Sequence, residues 1–168
     1  MRALWIVVAA LLSFSNFCNA EVRVAFFRFY DREGNLIQLE PNGQFAHLAI
    51  AYKGQWLHSY PWKGTVLFAS LNSVAPDFEI LTIRSLPDLT EAEVGPLLGL
   101  PYDDQYSWED PGKTYCSKLV GKLLKLRPRP MKFEGKFWEN RKNLPVGKLG
   151  LSPDEVYHQL IFNRGFQH

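Results

Sequence analysis

Hydrophobic and polar positions divide the chain into a first half with two-residue periodicity and a second half with helical periodicity. Val22 to Tyr30, rich in Val and Phe, reads as a strand, and the polar run Asp31-Arg32-Glu33-Gly34-Asn35 returns the chain into Leu36 to Glu40. That pattern predicts a hairpin. After the break at Pro41-Asn42-Gly43, Phe45 to Tyr52 and Gln55 to Tyr60 form two further strands joined at Lys53-Gly54. Thr65 to Ala69 and Glu79 to Arg84 add two short ones. A largely antiparallel sheet is expected.

Helical signals begin at Thr90, which stands at capping-box spacing from Glu93, although Pro96 keeps that element short. A polar and aromatic loop runs from Tyr102 to Lys113. The clearest helix spans Thr114 to Leu126, with Thr114 as N-cap and Leu119, Val120, Leu123 and Leu124 as one apolar stripe. Arg127-Pro128-Arg129-Pro130 stops it. Ser152-Pro153-Asp154-Glu155 carries an N-cap, a proline at the first helical position and a glutamate at the third, predicting a last helix to about Phe162. The fold class expected is α+β, an antiparallel sheet packed against a few helices.

The first twenty residues change the cellular picture. Arg2, the apolar stretch Ala3 to Leu12 and the small residues before Ala20 read as a signal peptide cleaved near Ala20, too short in its apolar run to span a bilayer. An exported, periplasmic or extracellular protein is implied, with residues 21–168 as a single domain. Charge is uneven. From Glu21 to Gly112 there are 6 Lys/Arg and 13 Asp/Glu, whereas Lys113 to Lys148 holds 11 Lys/Arg and only Glu134 and Glu139 as acids. The basic stretch Lys113 to Lys148 is a candidate contact for an anionic surface, and no nucleic-acid partner is expected. Cleavage would remove Cys18 and leave Cys116 without an intramolecular partner.

A lone exported thiol can be a nucleophile, a buried small hydrophobe or half of an intermolecular disulfide. If Thr114 caps the helix, Cys116 lies in its first turn, where free N–H groups and the positive dipole end favour the thiolate. The base candidates are His47 and His58. A two-residue turn at Lys53-Gly54 sets Tyr52 opposite Gln55, so Ala49 faces His58 and His47 faces Tyr60. The two imidazoles are then diagonal neighbours, roughly 7 Å apart by backbone spacing. One can act as base while the other orients it. Two histidines without a third acid or cysteine make a poor zinc site, so neither metal nor other cofactor is expected. Tyr60, Trp56 and Trp62 suit packing at a core or rim, and Trp56 and Tyr60 are also candidates to line a substrate groove. His158 and His168 are expected to face solvent.

The order of a histidine opening Phe45-Ala46-His47-Leu48-Ala49-Ile50, a glycine turn with a polar residue on the return strand, then Gly99-Leu100-Pro101-Tyr102-Asp103 and Tyr115-Cys116-Ser117-Lys118-Leu119-Val120 resembles circularly permuted papain-like families. These are the YiiX/YaeF-like amidases of the NlpC-type peptidase superfamily and their lecithin retinol acyltransferase-like relatives. The resemblance implies a permuted papain-like fold with Cys116 as nucleophile, His47 as general base and His58 as third member. Lys118 departs from it, since that position is often acidic, and a lysine there is expected to add positive charge near the thiolate.

The function these residues and the resemblance imply is that of an exported thiol hydrolase that cleaves an amide, as in a cell-wall peptide, through an acyl-enzyme. The backbone N–H of Cys116, with Tyr115 or Tyr102, would hold the oxyanion. The alternatives are a lipid acyltransferase or thioesterase of the same fold and a binding module without turnover.

Overall fold

The computed structural model describes residues 21–84, 86–139 and 145–164. The proposed signal peptide and His168 lie outside these residues. The chain is α+β: five antiparallel strands, β1 (Val22–Phe27), β2 (His47–Tyr52), β3 (Gln55–Tyr60), β4 (Gly64–Phe68) and β5 (Phe78–Ile83), lie in the order β4-β3-β2-β1-β5. Three helices follow, α1 (Glu91–Val94), α2 (Cys116–Leu123) and α3 (Pro153–Arg164), and a two-stranded ribbon of β6 (Arg129–Pro130) and β7 (Leu149–Gly150) lies between the last two.

The β2–β3 turn lies at Lys53-Gly54, and Tyr52 pairs with Gln55. Both turn residues have positive φ, which Gly54 tolerates freely and Lys53 does not. The expected hairpin between Val22 to Tyr30 and Leu36 to Glu40 does not form. Only Tyr30 bridges Leu36, because β2 and β5 already occupy both edges of β1. The 36–40 segment has no free ladder to join there and instead runs beneath the aromatic cluster of Phe133 and Trp138, where the Trp138 indole donates to the Leu39 carbonyl at 2.8 Å.

Alternation divides the sheet into two faces. Val24, Phe26, Leu48, Ile50, Leu57, Leu81 and Ile83 pack with Leu119, Val120 and Leu123 of α2 and Val156 and Leu160 of α3. Ala25, Phe27, Ala49 and Trp56 point the other way, onto Leu71 and Ala75 of a short turn. The capping box of Thr90 and Glu93 forms, and the Ser152 hydroxyl accepts from the Glu155 N–H at 2.9 Å at the start of α3.

Helix α2 is shorter than its apolar pattern suggests. Its N-cap is Tyr115 rather than Thr114, with no side-chain cap, because the Thr114 carbonyl is already engaged by the Ser59 hydroxyl and the Asp103 N–H. That helix sits close against its neighbours: a methyl added at Gly121 would collide with Leu151 Cδ1.

Candidate active site

Four close contacts hold the parts of the site together. The Asp154 carboxylate accepts from the backbone N–H groups of Gln44, at 2.7 Å, and Phe45, at 3.3 Å, just before β2. On the next strand, Ser59 lies between His58 and Tyr60, and its hydroxyl donates to the Thr114 carbonyl at 2.7 Å, two residues before the cysteine. Ser117, just after Cys116, donates to the Leu151 carbonyl at 2.6 Å. Gly64, at φ 67, lets β4 approach the 99–101 loop so closely that a Cβ there would collide with the Leu100 carbonyl oxygen. Strand β2, strand β3 and the start of α2 are thus held relative to one another by buried contacts that sequence spacing does not reveal.

His47 Nε2 and His58 Nδ1 lie 2.9 Å apart, and both rings are buried. One nitrogen of this contact donates and the other accepts, so each ring keeps its other nitrogen for a different partner. His47 packs between Phe27, Phe29 and Tyr60, while His58 stacks on Tyr60 and meets Phe68 at 4.3 Å between centroids. The histidines therefore belong to the Ala49 and Trp56 face of the sheet. Cys116 belongs to the face that α2 covers.

His47 and Cys116, though not His58, reach one cavity at the end of the sheet, of about 440 Å³, which Ser117 also lines. Its walls are mainly apolar: Phe29, Ile37 and Leu39 on one side, Phe133 and Phe137 from the 133–138 segment, and Tyr60, Pro61 and Trp62 at the end of β3. Tyr102, Tyr106 and Tyr115 complete the aromatic lining, and Asp104 is the lining residue with a formal charge at neutral pH. Trp62 is 94% exposed and at φ 67, a left-handed conformation unusual for a bulky side chain, so its indole stands at the rim.

Burial governs the ionisation of the three central groups. It lowers His47 to about 3, with repulsion from His58 adding to the effect only where that ring is also protonated, and lowers His58 to about 4. It also raises the Cys116 thiol to about 11, although backbone N–H groups of Leu48 and Ser117 push toward the thiolate. A helix start by itself favours the thiolate; here the loss of water outweighs it. Among the described residues no hydrogen bond joins Cys116 to an imidazole, and burial leaves both the thiol and the His47 ring neutral at pH 7.

Other expectations need correction. Trp56 does not line the cavity: it pairs with Ala51 and Phe68, beneath the Arg23 guanidinium. Tyr115 contributes its ring, but its hydroxyl is directed to the Met131 sulfur at 3.9 Å and is held well above the usual phenol range by burial, so it is spent on packing. Lys118 is buried and donates to the carbonyls of Ser107, Asp110 and Lys113, closing the 107–113 loop rather than adding charge beside the sulfur. Asp103, buried with its carboxylate accepting from the Gln105 and Ser107 N–H groups, shapes the turn that presents Tyr102 and Asp104. Asp104, Phe133 and Phe137 line the cavity without having been expected there. The aromatic spacing after Met131 was the sequence signal for Phe133 and Phe137.

Among the described residues no group of three or more His, Cys, Asp or Glu comes together in a way that could hold a metal ion. No described helix is long and apolar enough to cross a membrane. No protein-family profile and no curated protein matches the chain. Among solved structures, the crystal structure of the metalloprotein YiiX from Escherichia coli O157:H7 matches at a TM-score of 0.53 with 17% identity, covering 82% of this chain and 91% of that one. At that identity the likeness is one of fold, and the chain has a YiiX-like α+β fold.

Proposed function

We propose that this protein is an exported thiol acyl hydrolase or acyltransferase, with Cys116 as nucleophile, His47 as general base and His58 as the residue that orients His47. The observation that carries this reading is the shared cavity, whose lining includes both Cys116 at the start of α2 and the histidine that opens β2. The contact to His58 uses His47 Nε2, leaving Nδ1 to receive the thiol proton.

Because both groups rest neutral, the proton moves as the sulfur attacks the carbonyl instead of beforehand. Backbone N–H groups of Leu48, Cys116 and Ser117 point toward the sulfur and favour its thiolate, and the Cys116 N–H is the donor proposed for the oxyanion. Water completes a hydrolysis, and an amine or alcohol completes a transfer. A protonated His47 returns its proton to the leaving group.

The lining bears on substrate. A cell-wall peptide carries carboxylates, which the aromatic walls would desolvate and Asp104 would repel; an apolar acyl group fits the same walls without either cost. The cavity therefore favours an acyl ester or acyl amide with a hydrocarbon chain over the cell-wall peptide. The test is parallel incubation with cell-wall fragments, phospholipid and an N-acyl amide. The reading expects released acyl product from a hydrocarbon-bearing substrate, reduced about a thousandfold in Cys116→Ser. Equal turnover by Cys116→Ser would overturn it, and product from cell-wall fragments alone would overturn the acyl preference.

The competing reading, a binding module, draws on the burial of Cys116 and its raised pKa. It expects a ligand held in the cavity and no product from any of the three.

A further inference from the structure

The Arg127-Pro128-Arg129-Pro130 run, which ends the α2 region, takes no part in the chemistry above. Proline at every second position holds this run extended, so the two arginines project to the same side. Both line a second cavity, of about 530 Å³, between this segment and α3, on a different part of the molecule from Cys116. Its floor is built. Gln159 clamps Arg127 at both ends of its backbone, accepting from the N–H at 3.1 Å and donating to the carbonyl at 2.8 Å.

Glu155, the carboxylate of this groove, is already engaged: its Oε1 accepts from Gln159 at 2.8 Å and from Arg129 Nε at 2.9 Å. The remaining guanidinium N–H groups of Arg129 and the Arg127 head group have no ion-pair partner among the described residues. Lys125 and His158 border the same space, and Arg129, Glu155 and His158 extend it into an adjoining cavity of about 570 Å³ that adds Lys132. Glu40, also there, is pushed toward its neutral form by burial, which weakens the one other negative charge on that wall.

Two planar guanidinium forks on a rigid segment, with flanking amines, one acid paired to Arg129 and a second pushed toward its neutral form, match the fork geometry of a tetrahedral oxyanion. Phe162, 69% exposed on the same rim, adds an apolar contact next to the charge. We infer that the groove between residues 124–132 and α3 binds a phosphoryl group, independently of the Cys116 cavity.

The experiment titrates the full protein with inorganic phosphate while following its backbone amides by NMR. In parallel, it measures co-sedimentation with phosphatidylcholine vesicles with and without phosphatidylglycerol. Shifts confined to residues 124–132 and 155–162, with affinity at least tenfold weaker in Arg127→Gln/Arg129→Gln, support a site for a free phosphoryl group. Binding to the phosphatidylglycerol vesicles alone, lost in the same variant, supports the site with a lipid head group as its source. A charge-matched control, Lys113→Gln/Lys148→Gln, removes two exposed cations of the same basic stretch and should change binding less than twofold. An equal loss in the control would reduce the effect to diffuse attraction and overturn the groove. Absence of shifts and of vesicle binding in the wild-type protein overturns it as well.

Discussion

The two faces of the sheet use the same strands for opposite ends. On the face under α2 and α3, Val24, Phe26, Leu48, Ile50 and Leu57 make a dry core that runs up to Cys116. On the other face, the same alternation presents His47 and His58 among Phe27, Phe68 and Tyr60. Neither face is a site by itself. The two faces meet where the strands end, in the one cavity that His47 and Cys116 both line, because His47 is the first residue of β2.

The strongest way to break this pairing is to remove one face's contribution. His47→Ala should lower the rate of Cys116 acylation by about 10² to 10⁴, measured by rapid-quench mass spectrometry, while binding of substrate stays near that of the wild type. His58→Gln is expected to lower it by roughly ten- to a hundredfold, because the tautomer and tilt of His47 are lost but its ring stays. A rate unchanged in both variants would detach the histidine face from the thiol.

Moving the faces apart should act on stability first. Gly64→Ala sets a Cβ against the Leu100 carbonyl oxygen at a left-handed backbone position, and denaturant unfolding should show a loss of at least about 2 kcal/mol. Ser59→Ala deletes the bond from β3 to the Thr114 carbonyl and should cost about 1 kcal/mol, with a small fall in acylation rate.

Titration adds a further contrast between the faces. Both histidines have folded pKa values below the unfolded value near 6.5, so the unfolded chain takes up protons first as pH falls. Stability present above pH 6.5 should be lost toward pH 3 to 4, and His47→Gln should flatten that slope in melts between pH 7 and 4. On the helix face the sign reverses: the thiol is raised to about 11, so the unfolded chain loses its proton first, and stability should decline between pH 9 and 11 unless Cys116 is serine.

Much of the framework was legible. The Lys53-Gly54 turn set the β2–β3 register, and that register alone made His47 and His58 neighbours, because a strand's side chains alternate with a fixed period. The capping box at Thr90 and the start of α3 followed from local hydrogen bonding, which short-range sequence encodes. What local pattern could not carry was competition between distant segments. The 36–40 segment lost its strand partner to β5, which lies some forty residues later, and Thr114 lost its capping role to a bond from Ser59. Ionisation was misjudged for a related reason: the helix start is visible in sequence, but the burial that raises the thiol depends on how Leu48 and α2 pack. Lys118 likewise points to loop carbonyls that only the fold brings near.

Trapping the intermediate decides whether the two faces act together. Wild-type and His47→Ala proteins would be mixed with an activated hydrocarbon acyl ester at pH 7, quenched, and mapped by peptide mass spectrometry. A thioester should appear on Cys116 in the wild type and form at least a hundredfold more slowly without His47. A wild-type protein whose Cys116 stays unmodified, or acylates at the same rate in both proteins, would refute the joint action of thiol and imidazole.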